Sequence, residues 1–225
     1  MKVYLVSDSE NISVTEENLL LVPEERREKI RRYSFEEDKR ISLICGLLIR
    51  LCAVREKGSA AFWTGVSSGK FGKPCFTEYP DLYFSASHTR NCVVLASSEV
   101  PVGIDTEMYA PLDDAAYSIA RNYFTADEYE SIVSSSDPAE RFYRIWTAKE
   151  AFLKCTGEGL SRPLDSFSVY SLPEGYSLEQ KLYSANIISV CRRGEPADID
   201  MEKMAALRLL QECRETAAGL FSQIS

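Results

Sequence analysis

The stretch from Glu24 to about Glu56, EERREKIRRYSFEEDKRISLICGLLIRLCAVRE, constrains the fold more than any other part of the chain. Its Leu43, Leu47, Leu51 and Val54 recur at i, i+4, i+8 and i+11, the stripe of a helix laid across a core, with Gly58 as its stop. Ser34 is the point where the pattern can break into two helices. An element this long must be covered by a sheet or by other helices, and the flanking segments read as strands. Lys2 to Val6 alternates in the strand period, and glycines 65, 69 and 72 with Pro74 mark a loop. Short strands are expected at Leu82 to Ala86, Cys92 to Ser97 and Val100 to Glu107. The pattern then repeats: helical periodicity at Ala115 to Tyr123 and Thr125 to Val133, and a strong helix from Ala139 to about Thr156 that stops at Gly157. Strands are expected at Phe167 to Tyr170 and Leu182 to Val190. A last helix over Ile199 to about Phe221 follows from Met204, Leu207, Leu210 and Leu220. The fold class expected is α+β, with two similar α/β lobes in a pseudo-twofold arrangement, 1–101 and 102–225, joined near Pro101.

The 225 residues are enough to bury a proper core. A formal charge of -8 excludes a surface that grips nucleic acid throughout, because displacing condensed counterions needs a net basic face. The single histidine, His88, excludes any site built on two imidazoles, so a metal would have to sit on oxygen. Seven scattered cysteines with no CxxC pair are the usage of a reducing compartment. The apolar run before Asp8 is too short for a signal or membrane segment, so a cytoplasmic protein with no membrane partner is expected. A monomer with no nucleic-acid partner is expected as well.

Four constellations carry chemistry. Asp105 and Glu107 lie two residues apart in a strand, so their carboxylates share a face while Thr106 points away. Two such acids repel unless a cation lies between them, and Gly103 permits close backbone approach beside them. Trp146, Glu150 and Lys154 form a stripe at i, i+4 and i+8 on the Ala139 helix. Glu150 would complete an oxygen-rich Mg2+ site and Lys154 would offer a compact positive charge to phosphate. Arg26, Arg27, Lys29, Arg31 and Arg32, followed by Lys39 and Arg40, make a local basic strip in an acidic chain, an anion-binding candidate. Gly72-Lys73-Pro74 forms a rigid loop, and Ser85, Ser87, His88 and Thr89 a polar corner suited to phosphate or a purine edge. Each also has an ordinary structural reading: a solvated strand end, a helical ion pair beside a core tryptophan, a solvated charged face, a satisfied histidine.

Together the four resemble the Sfp-type 4'-phosphopantetheinyl transferases. The resemblance rests on Val102-Gly103-Ile104-Asp105-Thr106-Glu107, on Trp146-Thr147-Ala148-Lys149-Glu150 with Lys154, on Gly72-Lys73-Pro74 and on Ser87-His88-Thr89, and covers about residues 1 to 170. It implies an active site in the cleft between two lobes and transfer of the phosphopantetheine arm of coenzyme A to a serine of an apo acyl or peptidyl carrier protein, releasing 3',5'-ADP. It further implies that Asp105, Glu107 and Glu150 hold Mg2+. Glu150 would act as base, directly or through a metal-bound water, and Lys154 would neutralise phosphate charge. Arg26, Lys29, Arg40 and His88 would meet the 3'-phosphate and pyrophosphate, and Lys73, Pro74 and Ser87 would frame the adenine. The chain departs from the family pattern in having Ser85 for the usual asparagine and Thr89 for the terminal serine. It also has Ile41 before Ser42, with the base at Arg40 instead.

Two other readings stand beside it. A non-catalytic module of the same fold would bind CoA or a carrier and leave the carrier unmodified. Gly65-Val66-Ser67-Ser68-Gly69 is a literal GxSxG, but a hydrolase using Ser67 needs a strand before it and a helix directly after.

Overall fold

The computed structural model describes residues 1–69 and 72–222. In chain order β1 (Lys2–Val6) is followed by the short α1 (Glu16–Leu19), α2 (Glu24–Arg32) and α3 (Glu36–Lys57). Tyr33 is extended, so the long helical pattern does break around Ser34, and α3 ends at Gly58, whose φ of +89° few other residues would accept. Next come β2 (Val66–Ser68), β3 (Pro74–Phe76), β4 (Tyr83–Thr89), β5 (Cys92–Ser98) and β6 (Val102–Met108). The second half contains α4 (Asp114–Tyr123), α5 (Ala126–Val133), α6 (Pro138–Thr156), β7 (Tyr176–Tyr183), β8 (Asn186–Arg193), β9 (Asp200–Lys203) and α7 (Ala206–Ser222). Asp137 caps α6 by accepting from the Glu140 amide, Pro138 opens it, and Gly157 closes it in the left-handed region.

The strands form two main sheets, β4-β5-β1-β9 and β6-β8-β7, and a separate β2-β3 ribbon. Period-two alternation assigns the faces. Tyr4, Val6, Val93 and Leu95 turn toward the apolar stripe of α3, where Leu43, Leu47 and Leu51 are buried. Val3, Leu5, Val94 and Ala96, on the other face of that sheet, cluster with Val102, Ile104, Ile188 and Val190 of the second sheet. Beyond the second sheet, Cys191 of β8 packs with Ala151, Phe152 and Cys155 of α6. The α+β class holds, and the two main sheets lie back to back with a helical layer outside each. Where the edge strands β4 and β6 approach, Ser85 Oγ accepts from the Ile104 amide at 3.1 Å.

Three expectations are corrected. The tail does not stay with the second half: β9 pairs in parallel with β1, and Met204, Leu209, Leu210 and Cys213 enter the core beside α3. The expected 102–225 lobe thus gives up its last residues to the first sheet, where Arg55 also binds Glu202 and, at 2.8 Å, Glu212. The strand expected at Leu182 to Val190 is a hairpin, β7 turning into β8 at Ser184, which adopts φ +52°. Phe167 to Tyr170 is not a strand; it holds one arm of an isolated bridge, Ser168 to Ser171, after a short 3-10 turn. Among the described residues no helix is long and apolar enough to cross a membrane, and all seven cysteines are free.

Candidate active site

The site begins where β6 lies against α6. A Cβ on Gly103 would fall well inside contact distance of the Ala151 carbonyl oxygen and the Cys155 amide nitrogen, and 2.8 Å from the Lys154 carbonyl carbon. Only a glycine lets strand and helix meet here. Because Gly103, Asp105 and Glu107 share a strand face, the same approach carries both acids to the side of α6 that bears Trp146, Glu150 and Lys154. Lys154 Nζ lies 2.7 Å from Asp105 Oδ1 and 3.2 Å from Ser87 Oγ, and Ser87 Oγ donates to the same Oδ1 at 2.8 Å. Asp105 is buried, Glu107 and Glu150 half-buried.

Glu107 and Glu150 both feel the charge of Asp105. Burial, then the Asp105 charge, raises the Glu150 pKa above the usual carboxylate range, and Lys154 offsets part of that rise. Glu107 is raised by burial, then by Asp105, with Glu150 adding to it and a hydrogen bond from Trp146 opposing. Among the described residues no three His, Cys, Asp or Glu side chains are already gathered closely enough to hold a metal ion. The donor set nevertheless suits a hard cation. It is all oxygen, its members repel, and Asp105 Oδ2 is buried with no hydrogen-bond partner, a costly state for a carboxylate oxygen that a cation would relieve.

Lys154 joins this carboxylate group to a cleft of about 340 Å³, lined by Arg26, Lys73, Pro74, Phe84, Lys154 and Gly157 among others. Arg26 and Cys45 are shared with a polar basin of about 280 Å³ that also holds Lys29, Ser42 and His88. The basic strip sorts itself around this basin. Arg27, Arg31, Arg32 and Lys39 are engaged with Glu24, Glu16, Glu28 and Glu36, the ordinary solvated ion pairs of a charged helix. Arg26 and Lys29, which line the basin, form no such pair among those described, whereas Arg40, whose buried Nε has no hydrogen-bond partner, is not among the residues lining the basin or the cleft. His88 stands at the surface of the basin, its pKa lowered by the atoms crowding it and then by Lys154.

Two residues sit differently from the resemblance. The Lys73 ammonium is turned away from a base-binding role, donating to the Val102 and Cys155 carbonyls at 3.1 and 2.9 Å, so it ties the second sheet to the end of α6 while its stem lines the cleft. Ser87 is not itself among the residues lining the cleft; its hydroxyl donates to Asp105 and lies beside the Lys154 ammonium, which does line it. Ser67 lies on the exposed β2, which pairs antiparallel with β3, its Oγ 3.2 Å from Cys75 Sγ, and among the described residues no helix directly follows it.

Models of known families match both halves of the chain. The N-terminal model of 4'-phosphopantetheinyl transferases matches residues 13–100, and the 4'-phosphopantetheinyl transferase superfamily model matches residues 101–196. A 4'-phosphopantetheinyl transferase of Bacillus subtilis is 36% identical over 182 residues, 78% of this chain and 79% of that protein. The chain belongs to the 4'-phosphopantetheinyl transferase superfamily. Another relative, 4'-phosphopantetheinyl transferase Sfp of Bacillus subtilis strain 168, is 34% identical over 173 residues, 75% of this chain and 76% of its own. The mouse L-aminoadipate-semialdehyde dehydrogenase-phosphopantetheinyl transferase is 33% identical over 151 residues, covering 60% of this chain and 48% of that protein.

One feature of this superfamily member escapes sequence reasoning: Lys149, next to Glu150, is fully buried. Its ammonium lies 2.8 Å from Glu128 Oε2, also fully buried, and donates to the Leu164 and Phe167 carbonyls at 2.7 Å each. Glu128 in turn accepts from the Thr125 and Val169 amides, so one ion pair fastens α5, α6 and the 164–169 segment. A Lys–Glu pair 21 residues apart has no local signature, although lysine amid the apolar positions of α6 is a signal. Lys149→Met leaves the Glu128 charge buried and should cost about 3–5 kcal/mol in urea unfolding. Adding Glu128→Leu should recover much of that loss; an unchanged midpoint in the single variant would show the pair to be energetically idle.

Proposed function

We propose that this chain transfers the 4'-phosphopantetheine arm of coenzyme A to a serine hydroxyl of an apo acyl or peptidyl carrier protein, with Mg2+ as the metal. The observation that carries the reading is the position of Lys154, one side chain that lines the cleft and rests on Asp105 beside Glu107 and Glu150. A polyanionic nucleotide in the cleft would thereby have its phosphates delivered to the acids. The relatives named above, all phosphopantetheinyl transferases by name, support it.

In this reading Arg26, Lys29, Arg40 and His88 meet the 3'-phosphate and pyrophosphate, Pro74 and the Lys73 stem border the adenine, and Lys154 neutralises charge at the reacting phosphate. Asp105, Glu107 and Glu150 would hold Mg2+, which when bound supplies charge stabilisation to the pyrophosphate. Glu150 takes the proton of the carrier serine hydroxyl. The serine oxygen forms a bond to the phosphorus bearing the pantetheine arm, the bridging P–O bond of the pyrophosphate breaks, and its electrons leave with 3',5'-ADP. The work of the chain is positioning and charge stabilisation of an in-line displacement. The carrier would meet the face around α4, where Tyr123 is exposed and Tyr117 and Ile119 half-buried, whereas Phe124 is committed to the core with Phe142 and Trp146. A cytoplasmic monomer suits this role.

The direct test is to mix the protein with CoA, Mg2+ and a panel of apo carrier domains and to weigh the carriers. The expected result is a gain of one phosphopantetheine, abolished by EDTA and unaffected by Ser67→Ala. No mass gain on any carrier, with CoA still bound, would favour the non-catalytic module; activity lost with Ser67 but not with EDTA would favour the hydrolase.

A further inference from the structure

Ser87 is the one side chain of the first sheet hydrogen-bonded to a carboxylate of the second among the described residues of this site, and its bonds close a triangle. It donates to Asp105 Oδ1 at 2.8 Å, Lys154 donates to that same oxygen at 2.7 Å, and Lys154 Nζ lies 3.2 Å from Ser87 Oγ. A carboxylate oxygen with two such donors is saturated along its lone-pair directions and cannot rotate without breaking both bonds. Its partner oxygen, Oδ2, is buried and has no hydrogen-bond partner. Two residues earlier on the same strand, Ser85 Oγ accepts from the Ile104 amide, so β4 fixes both the main chain of β6 and its first acid through alternate serines.

We propose that Ser87 is a positioning residue for the metal: it engages Oδ1 of Asp105 together with Lys154, and so holds Oδ2 as the oxygen offered to the cation. This rests on the reading of Asp105 as a metal ligand given above. It moves Ser87 from the adenine to the metal and makes cation binding depend on contact between the two sheets. A ligand whose outer partner is lost pays in metal affinity, commonly about 10- to 100-fold.

The experiment is a Mn2+ titration of the full protein with CoA present, read by the electron paramagnetic resonance signal of free Mn2+, with CoA affinity measured separately without metal. Ser87→Ala is expected to weaken Mn2+ binding about tenfold and to leave metal-free CoA affinity near that of the unaltered protein. Ser87→Thr, which restores the hydroxyl on a strand, is expected to recover most of it. If Asp105→Asn weakens Mn2+ binding and Ser87→Ala does not, the proposal is overturned while the metal reading stands. If neither weakens it, both fall. A Ser87→Ala loss that Ser87→Thr fails to restore would also overturn the role of the hydroxyl.

Discussion

Glu150→Gln is expected to lower carrier-modification turnover by about 10²–10⁴-fold, the range for losing a positioned general base. The amide keeps the volume and half-buried position of the side chain on α6, so the helix and its contact with β6 should survive. What goes is the proton acceptor and one negative charge of the three. The acceptor matters more for rate, because an amide cannot take the serine proton, whereas the carboxyl, its pKa raised by burial and then by Asp105, is a better acceptor than an exposed one. CoA affinity should fall far less than turnover, since Arg26, Lys29 and His88, which are assigned to the nucleotide, line the cleft and its basin and are left unaltered. Single-turnover mass spectrometry and a CoA titration on the same preparation separate the two. Equal losses in both would reassign Glu150 as a metal ligand that takes no part in proton transfer.

What could be read from the sequence was what depends on short separations. Asp105 and Glu107 on one strand face, Trp146, Glu150 and Lys154 on one helix stripe, and the break near Ser34 all follow from the periods of single elements, and each is present. What was missed depends on partners far away in the chain. β9 is a four-residue polar stretch, DMEK, that becomes a strand only because β1 offers a free edge. The β7–β8 turn passes through Ser184 and Ala185 with neither glycine nor proline to mark it, which is why one strand was expected across it. Lys73 and Ser87 were drawn to the nucleotide by resemblance, yet their polar atoms bridge the first half of the chain to Val102, Cys155 and Asp105, contacts no local pattern encodes. The basic strip was legible as charge. Its division into paired surface residues and those around the basin was not, since that depends on which glutamates α1, α2 and α3 bring alongside.

Gly103→Ala should do the most damage for the fewest atoms. The added methyl meets main chain on every near side, the Ala151 carbonyl, the Cys155 amide and the Lys154 carbonyl carbon, so no side-chain rotation can make room. Either α6 retreats from β6 or the strand is pushed back into the interface between the sheets, where Val102 and Ile104 are fully buried. Overpacking of this kind costs about 1–3 kcal/mol and occasionally more. The functional effect should exceed the loss of folded protein, because Gly103 shares its face with Asp105 and Glu107, and α6 carries Glu150 and Lys154. A shift of about 1 Å between reacting groups costs about 10²-fold, so activity per folded molecule should drop at least that far. Gly58→Ala is the matching control: at φ +89° it strains the backbone by about 1–3 kcal/mol, but no atom lies within 4 Å of the new methyl and the acids are elsewhere. Thermal unfolding should therefore rank the two variants close together, and carrier modification at a temperature where both are folded should separate them widely. Full activity in folded Gly103→Ala would mean that the carboxylates keep their places without the close contact of β6 and α6, and that the site is not built on it.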